Sequence, residues 1–159
     1  MKTIFPKKEL HVPKWFILDA TGKTLGRLST EISKLLRGKE ISYYTPGVDL
    51  GNYVIVINAN KIEVSGKKNL QKLYYTNSQT PGNLKIETFK DLRNRIPSRI
   101  IERAVWGMLP KGVLGRQYYR RLYVYGDNNI LYGKNKGQEI KATNDLKENL
   151  SKNWIEIKI

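Results

Sequence analysis

An α/β fold in one domain is what the sequence predicts, on three observations. Trp15–Leu18 and Tyr53–Ile57 are short apolar runs, the kind that forms strands covered on both faces. Between them Leu25, Leu28, Ile32, Leu35 and Leu36 recur at helical spacing. Strand, helix, strand in that order argues a parallel βαβ unit with a right-handed crossover. The chain is 159 residues long and 40% hydrophobic, and a chain of about 150 residues buries roughly 68–70% of its extended surface. That is enough for one core.

Residues 1–13 read as an N-terminal extension, 14–126 as the domain and 127–159 as a C-terminal tail. The first strand stops at Asp19, with Gly22 beyond it to turn the chain. The first helix carries Arg27, Glu31, Lys34 and Arg37 on its outer face, and Gly38 stands where a left-handed cap would end it. After Ile62–Val64, the span from Gly66 to Thr88 is rich in Lys, Asn, Gln and Tyr and reads as an extended loop or hairpin. Thr88–Arg95 is expected as a short helix. Pro97 then opens another, with Ile101, Ala104, Val105 and Met108 as its apolar stripe and Gly107 and Pro110 at its end. Leu122–Tyr125 is the last strand. From Gly126 the chain turns polar and nearly charge-balanced, as a peripheral tail does. Within it Trp154, Ile155, Ile157 and Ile159 form an apolar pattern able to dock on a neighbouring protein.

Charge narrows the function. Twenty-nine Lys and Arg against 14 Asp and Glu give +15, which points to a polyanionic partner, either nucleic acid or an anionic membrane surface. Seven of the nine arginines fall within residues 93–125, where eight cations meet a single acid, Glu102. A solubility face alternates Glu with Lys, and this one does not. Arginine grips phosphate bidentately and stacks on bases, which lysine cannot do. No basic amphipathic stripe speaks for a membrane. The longest apolar run, Tyr53–Ile57, is far short of the ~20 residues that span one. The N-terminus lacks an apolar h-region and carries Glu9, so neither a secretory signal nor a transit peptide is expected.

Zero cysteines exclude disulfides, thiolate metal sites and cysteine nucleophiles, and the lone His11 excludes a multi-histidine site. No cofactor and no metal are expected. Gly22-Lys23-Thr24 before a helix looks like the end of a phosphate-binding loop, but that motif needs a glycine where Ile17 stands. Gly66-Lys67-Lys68 fails in the same way at Lys61. A nucleotide enzyme and a small-molecule substrate are therefore not expected, although Lys23 at a helix start suits one backbone phosphate. Asp19, Asp49, Glu63, Glu87, Asp91, Glu102 and Asp127 sit in no local motif. They should pair with surplus cations or cap helices. His11 should be an incidental exposed residue. Tyr43-Tyr44, Tyr74-Tyr75 and Tyr118-Tyr119 lie among cations, and tyrosines stack on unpaired RNA bases. One ring of each pair is expected to face inward as an anchor.

Several strings together resemble one family: Trp15–Leu28 (WFILDATGKTLGRL), Leu35–Lys39, Thr45–Lys68 and above all Arg103–Arg116 (RAVWGMLPKGVLGR), followed by Leu122–Tyr125. They are similar, in colinear order over roughly residues 1–126, to the bacterial-type family of the thirteenth protein of the large ribosomal subunit. The resemblance implies a three-layer α/β/α domain with a mainly parallel four-stranded sheet. It also implies a non-enzymatic structural constituent of the large subunit that binds large-subunit rRNA and supports early assembly and translation. The third and twentieth ribosomal proteins are the implied neighbours. Gly47–Asn52, Thr76-Asn77 and Gly82-Asn83 depart from the family's usual wording, and the tail after Gly126 lies outside it.

The cations expected on RNA fall in three stretches. Lys23, Arg27, Lys34, Arg37 and Lys39 surround the first helix. Lys67, Lys68 and Lys72 open the polar span. Arg93, Arg95, Arg99, Arg103, Lys111, Arg116, Arg120 and Arg121 form the arginine-rich run. The competing expectation is a basic protein that regulates translation on free mRNA. Abundant Ile, Lys, Asn and Tyr suit an AT-rich genome, so a ribosome in the plastid stroma is favoured over one in a bacterial cytoplasm.

Overall fold

The computed structural model describes residues 5–7, 9, 11–127 and the backbone of 155–157. Its main sheet holds β1 (Trp15–Asp19), β2 (Tyr53–Ile57), β5 (Leu122–Val124) and β6 (Ile155–Ile157) in the order β5-β2-β1-β6. β1 and β2 are parallel from Trp15↔Tyr53 to Asp19↔Ile57, and β5 continues the parallel set at Val54↔Leu122. The α/β class is as the sequence pattern predicts, and the mainly parallel four-stranded sheet is as the family resemblance implies. A separate antiparallel hairpin pairs β3 (Leu73–Asn77) with β4 (Leu84–Thr88), so the Gly66–Thr88 span is a hairpin only from Leu73 on, and a short helix at Lys68–Gln71, not expected from the sequence, precedes it.

The helices are α1 (Leu25–Arg37), α2 (Lys68–Gln71), α3 (Phe89–Arg95), α4 (Ser98–Met108) and α5 (Val113–Tyr119). α1 buries Leu25, Leu28, Ile32, Leu35 and Leu36 against Phe16, Leu18, Val54 and Val56. Its buried Ser29 and Ser33 donate to the carbonyls of Leu25 and Ser29, at 2.7 and 2.8 Å, so neither hydroxyl is orphaned. Gly38 has φ +70°, and the N–H groups of Gly38 and Lys39 return to Leu35 and Lys34, both at 3.0 Å. This is the glycine cap expected of the position. At α3, Thr88 accepts from the Asp91 N–H at 3.2 Å and donates to its carboxylate at 2.6 Å.

Four expectations are corrected. In α4 the buried stripe is Ile100, Ile101 and Val105, whereas Met108 lies 42% exposed. α5 was not expected, because Gly112 and Gly115 argue against a helix. Gly115 is required there by close packing, since a Cβ would fall 1.7 Å from the Pro110 carbonyl oxygen. The tail is not wholly peripheral: Ile155–Ile157 pairs antiparallel with β1 at Trp15↔Ile157 and closes that edge of the sheet. Asp127 is also tied in, its carbonyl accepting from the Asn58 N–H and its carboxylate from the Asn60 amide. Trp154 and Ile159 lie outside the described residues. Finally, His11 is half-buried rather than exposed.

α1, α3, α4 and α5 all feed one core on one face of the sheet. The opposite face carries Ile17, Ile55 and Ile57, with Trp15, Tyr123 and Tyr125 packed around them. The second helical layer of a three-layer arrangement is not found among the described residues. None of the described helices is long and apolar enough to cross a membrane.

Candidate nucleic-acid interface

The predicted cations reach the surface through different elements, and the fold sorts them into four settings. The first is the start of α1. β1 ends at Asp19 and the five-residue connection 20–24 turns back through a bond from the Lys23 N–H to the Ala20 carbonyl, 3.2 Å. That turn is too tight to wrap a triphosphate. Burial would raise the pKa of Asp19, but the Thr21 N–H and hydroxyl, the Asn58 amide and nearby Lys23 hold it below the ordinary carboxylate value. Lys23 is half-buried beside this acid, and Arg27 stands exposed one turn on.

The first turn of α1, the Val64–Lys72 segment and α4 enclose a groove of about 600 Å³ that brings Arg27, Lys68 and Lys72 together. Lys72 and Arg103 lie 5.4 and 5.6 Å from the centroid of the Tyr74 ring, within cation–π range. Arg103 also donates to the Thr76 hydroxyl at 2.8 Å. Lys67 is exposed on the same turn, and Lys68 meets the Ser65 hydroxyl at 3.4 Å.

The C-terminal end of α1 is the second setting. Lys34 and Lys39 are exposed, whereas Arg37 is half-buried and donates to the Tyr44 hydroxyl at 3.1 Å. In the third setting, Arg93 donates to the Asn60 carbonyl at 2.6 Å and lines a groove of about 760 Å³. Lys61, Lys90, Asn69 and Asn94 share that groove and lie outside the three cationic stretches expected on RNA. The signal available was the interleaving of Asn and Lys at 58–61 and 67–69. Arg95 pairs with Glu87 at 2.7 Å, with half of its side chain exposed.

The fourth setting is the end of the arginine-rich run. Arg99, Arg116 and Arg120 are exposed, and the last two are one turn apart across the end of α5. Among the described residues these three make no side-chain hydrogen bond or ion pair. Lys111 donates to the Trp106 carbonyl at 2.9 Å and covers its ring at 4.9 Å, while Tyr119 meets that ring edge-on at 5.1 Å.

Arg121 is the exception to the expected site. Its guanidinium donates to both carboxylate oxygens of buried Asp49, at 2.9 and 2.5 Å, and to the Gly51 carbonyl at 2.7 Å. Its face also lies over Tyr53. With 18% of the side chain exposed, it is turned inward and joins the Asp49–Asn52 loop to the start of β5. Next to that loop, buried Asn52 accepts from the Lys14 N–H and donates to the Leu35 carbonyl and to Glu40.

The tyrosine pairs divide as expected. Tyr74 and Tyr118 are buried and Tyr44 is half-buried, while Tyr43 and Tyr75 are exposed and Tyr119 is half-buried. The hairpin adds a feature not anticipated. Tyr75 lies opposite Ile86, and Leu73 and Leu84 share their face, all of them exposed. Contiguous apolar surface of this kind marks an interaction site more often than an accident of composition.

Comparison with known proteins fits this arrangement. The family model described as Ribosomal protein L13 matches residues 13–131. The large ribosomal subunit protein uL13 of Crocosphaera subtropica is 50% identical over 139 residues, covering 87% of this chain and 92% of that protein. Those of Prochlorococcus marinus subsp. pastoris and Geobacillus thermodenitrificans are 56% and 53% identical, covering 78% and 79% of this chain and 87% of each relative. Matches of this identity across the whole described domain decide the family: the chain belongs to the ribosomal protein L13 family.

Proposed function

We propose that this protein is a structural constituent of the large ribosomal subunit, binding large-subunit rRNA and supporting early subunit assembly and translation. The observation that carries the reading is the outward set Arg99, Arg116 and Arg120, exposed and without acidic partners among the described residues. Phosphates are the partners such guanidinium groups suit. Arg27, Lys34, Lys39, Lys67, Lys68, Lys72, Arg93, Arg103 and Lys111 extend the contact, and Arg121 holds the fold behind it. The exposed Leu73/Tyr75/Ile86/Leu84 face supports contact with a neighbouring ribosomal protein, for which the third and twentieth are the candidates. The role is non-enzymatic, in keeping with a family of ribosomal proteins.

We place the protein in a plastid ribosome rather than a bacterial one. The AT-rich residue usage carries that choice. The Crocosphaera, Prochlorococcus and Geobacillus relatives, of similar identity, do not discriminate. Sucrose-gradient sedimentation of a lysate tests the main reading. Co-migration with large subunits that persists in a salt wash is expected. Sedimentation with free mRNA alone would favour a translational regulator instead.

A further inference from the structure

We propose that the groove between the first turn of α1, the Val64–Lys72 segment and α4 takes one unpaired nucleotide of the bound RNA. The proposal rests on the RNA-binding reading above and names what one part of that surface recognises. The groove is amphipathic in a specific way. Its inner wall is apolar: Leu25 is buried, Val64 is packed against the core, and Met108 lines the groove 42% exposed, its sulfur accepting from the Thr30 hydroxyl at 3.7 Å. Its rim is cationic, formed by the exposed Arg27, Lys68 and Lys72, and none of its lining residues is acidic.

A purely phosphate-binding surface has no use for the apolar wall. A purely apolar peptide site has no use for three unopposed cations. A nucleotide uses both, with its flat base against the aliphatic and thioether surface and its flanking phosphates on the rim. The volume, about 600 Å³, lies within the roughly 300–1,000 Å³ typical of small-ligand sites. A base held in a helical stack cannot enter, so the ligand is a bulged or looped-out nucleotide. The position of Met108 is then accounted for, since a methionine taken out of its helix's core stripe keeps the wall of the groove apolar.

The test uses the full chain at low salt with three versions of one short RNA stem-loop: fully paired, with a single bulged adenosine, and with an abasic bulge. The bulged form is expected to bind about tenfold more tightly than the other two, the order that stacking one base supplies. Gly26 lines the groove, and a Cβ added there meets nothing within 4 Å. Gly26→Leu therefore fills the groove without disturbing the core. It should abolish the preference while leaving paired-RNA binding and the melting temperature intact. Arg27→Ala should weaken all three RNAs together. Equal binding of the three RNAs by the unaltered chain would overturn the proposal, leaving the groove to a protein segment. So would a folded Gly26→Leu variant that keeps the full preference, or no binding to any stem-loop. Incorporation into large subunits, read separately by sedimentation, would still decide the proposed function in each case.

Discussion

Arg120 and Arg121 are adjacent in the chain, yet they belong to different parts of the molecule. Arg120 is exposed at the end of α5 with Arg116 one turn before it. Arg121 turns under the sheet edge and spends three hydrogen bonds on Asp49 and Gly51. The reason is local. α5 ends at Tyr119, the chain reverses through Arg120 and Arg121, and Leu122 pairs with Val54 as β5 begins. A side chain at 121 therefore meets the loop that precedes β2, where Asp49 is 4% exposed. A charge count treats the two arginines as equal. The fold separates an outward surface arginine, unpaired among the described residues, from a junction that holds the sheet together, and the separation can be tested from either side.

The largest effect is expected at the junction. Arg121→Gln leaves the Asp49 carboxylate buried without its cation, and breaking such a pair typically costs about 3–5 kcal/mol. Chemical denaturation should show a loss of this size, with Asp49→Asn comparably damaging. Removing residues 151–159 uncovers the β1 edge now paired with β6. The truncated protein should lose about 1–3 kcal/mol, at roughly 1 kcal/mol per ladder bond, and should still enter large subunits. By contrast, Arg116→Gln with Arg120→Gln should change stability by less than ~1 kcal/mol per residue, because both are exposed.

A smaller, pH-dependent effect belongs to Asp19. Its carboxyl sits below the ordinary value of 3.8 in the folded protein, so the unfolded chain takes up the proton first as pH falls. The stability it contributes is complete above that value and is lost as pH drops through the lower, folded pKa. Acid melting curves of the parent and of Asp19→Asn should be separated by a constant gap at neutral pH and converge below pH 3.8.

The sheet and α1 were legible because their signals are local. A β-branched run, a five-point leucine and isoleucine stripe and a terminal glycine each specify one element without reference to the rest. α5 was not legible, because Gly115 is selected by the approach of Pro110 and weakens the helical pattern that would announce it. Periodicity alone puts Met108 in the core stripe of α4, whereas in the fold Ile100 is buried and Met108, at the end of the helix, is exposed. The strand at Ile155–Ile157 shows as alternation, yet nothing local says that its partner is β1 in the same chain. The candidate interface was half legible. The richness in arginine is visible in composition, but which arginine faces inward depends on Asp49, 72 residues away. Lys61 and Lys90 carry no local signal for the matching reason, since their groove with Arg93 joins segments distant in sequence.

The division between surface and junction is tested most directly by the salt dependence of binding to large-subunit RNA in a reconstitution containing the early assembly proteins. Each phosphate contact contributes roughly 0.7–0.9 to the slope of log K against log salt. The Arg116→Gln, Arg120→Gln double variant should therefore show a slope about 1.4–1.8 smaller than the parent protein, with folding intact. A folded double variant with the parent's affinity and the parent's slope would contradict the assignment of these arginines to RNA.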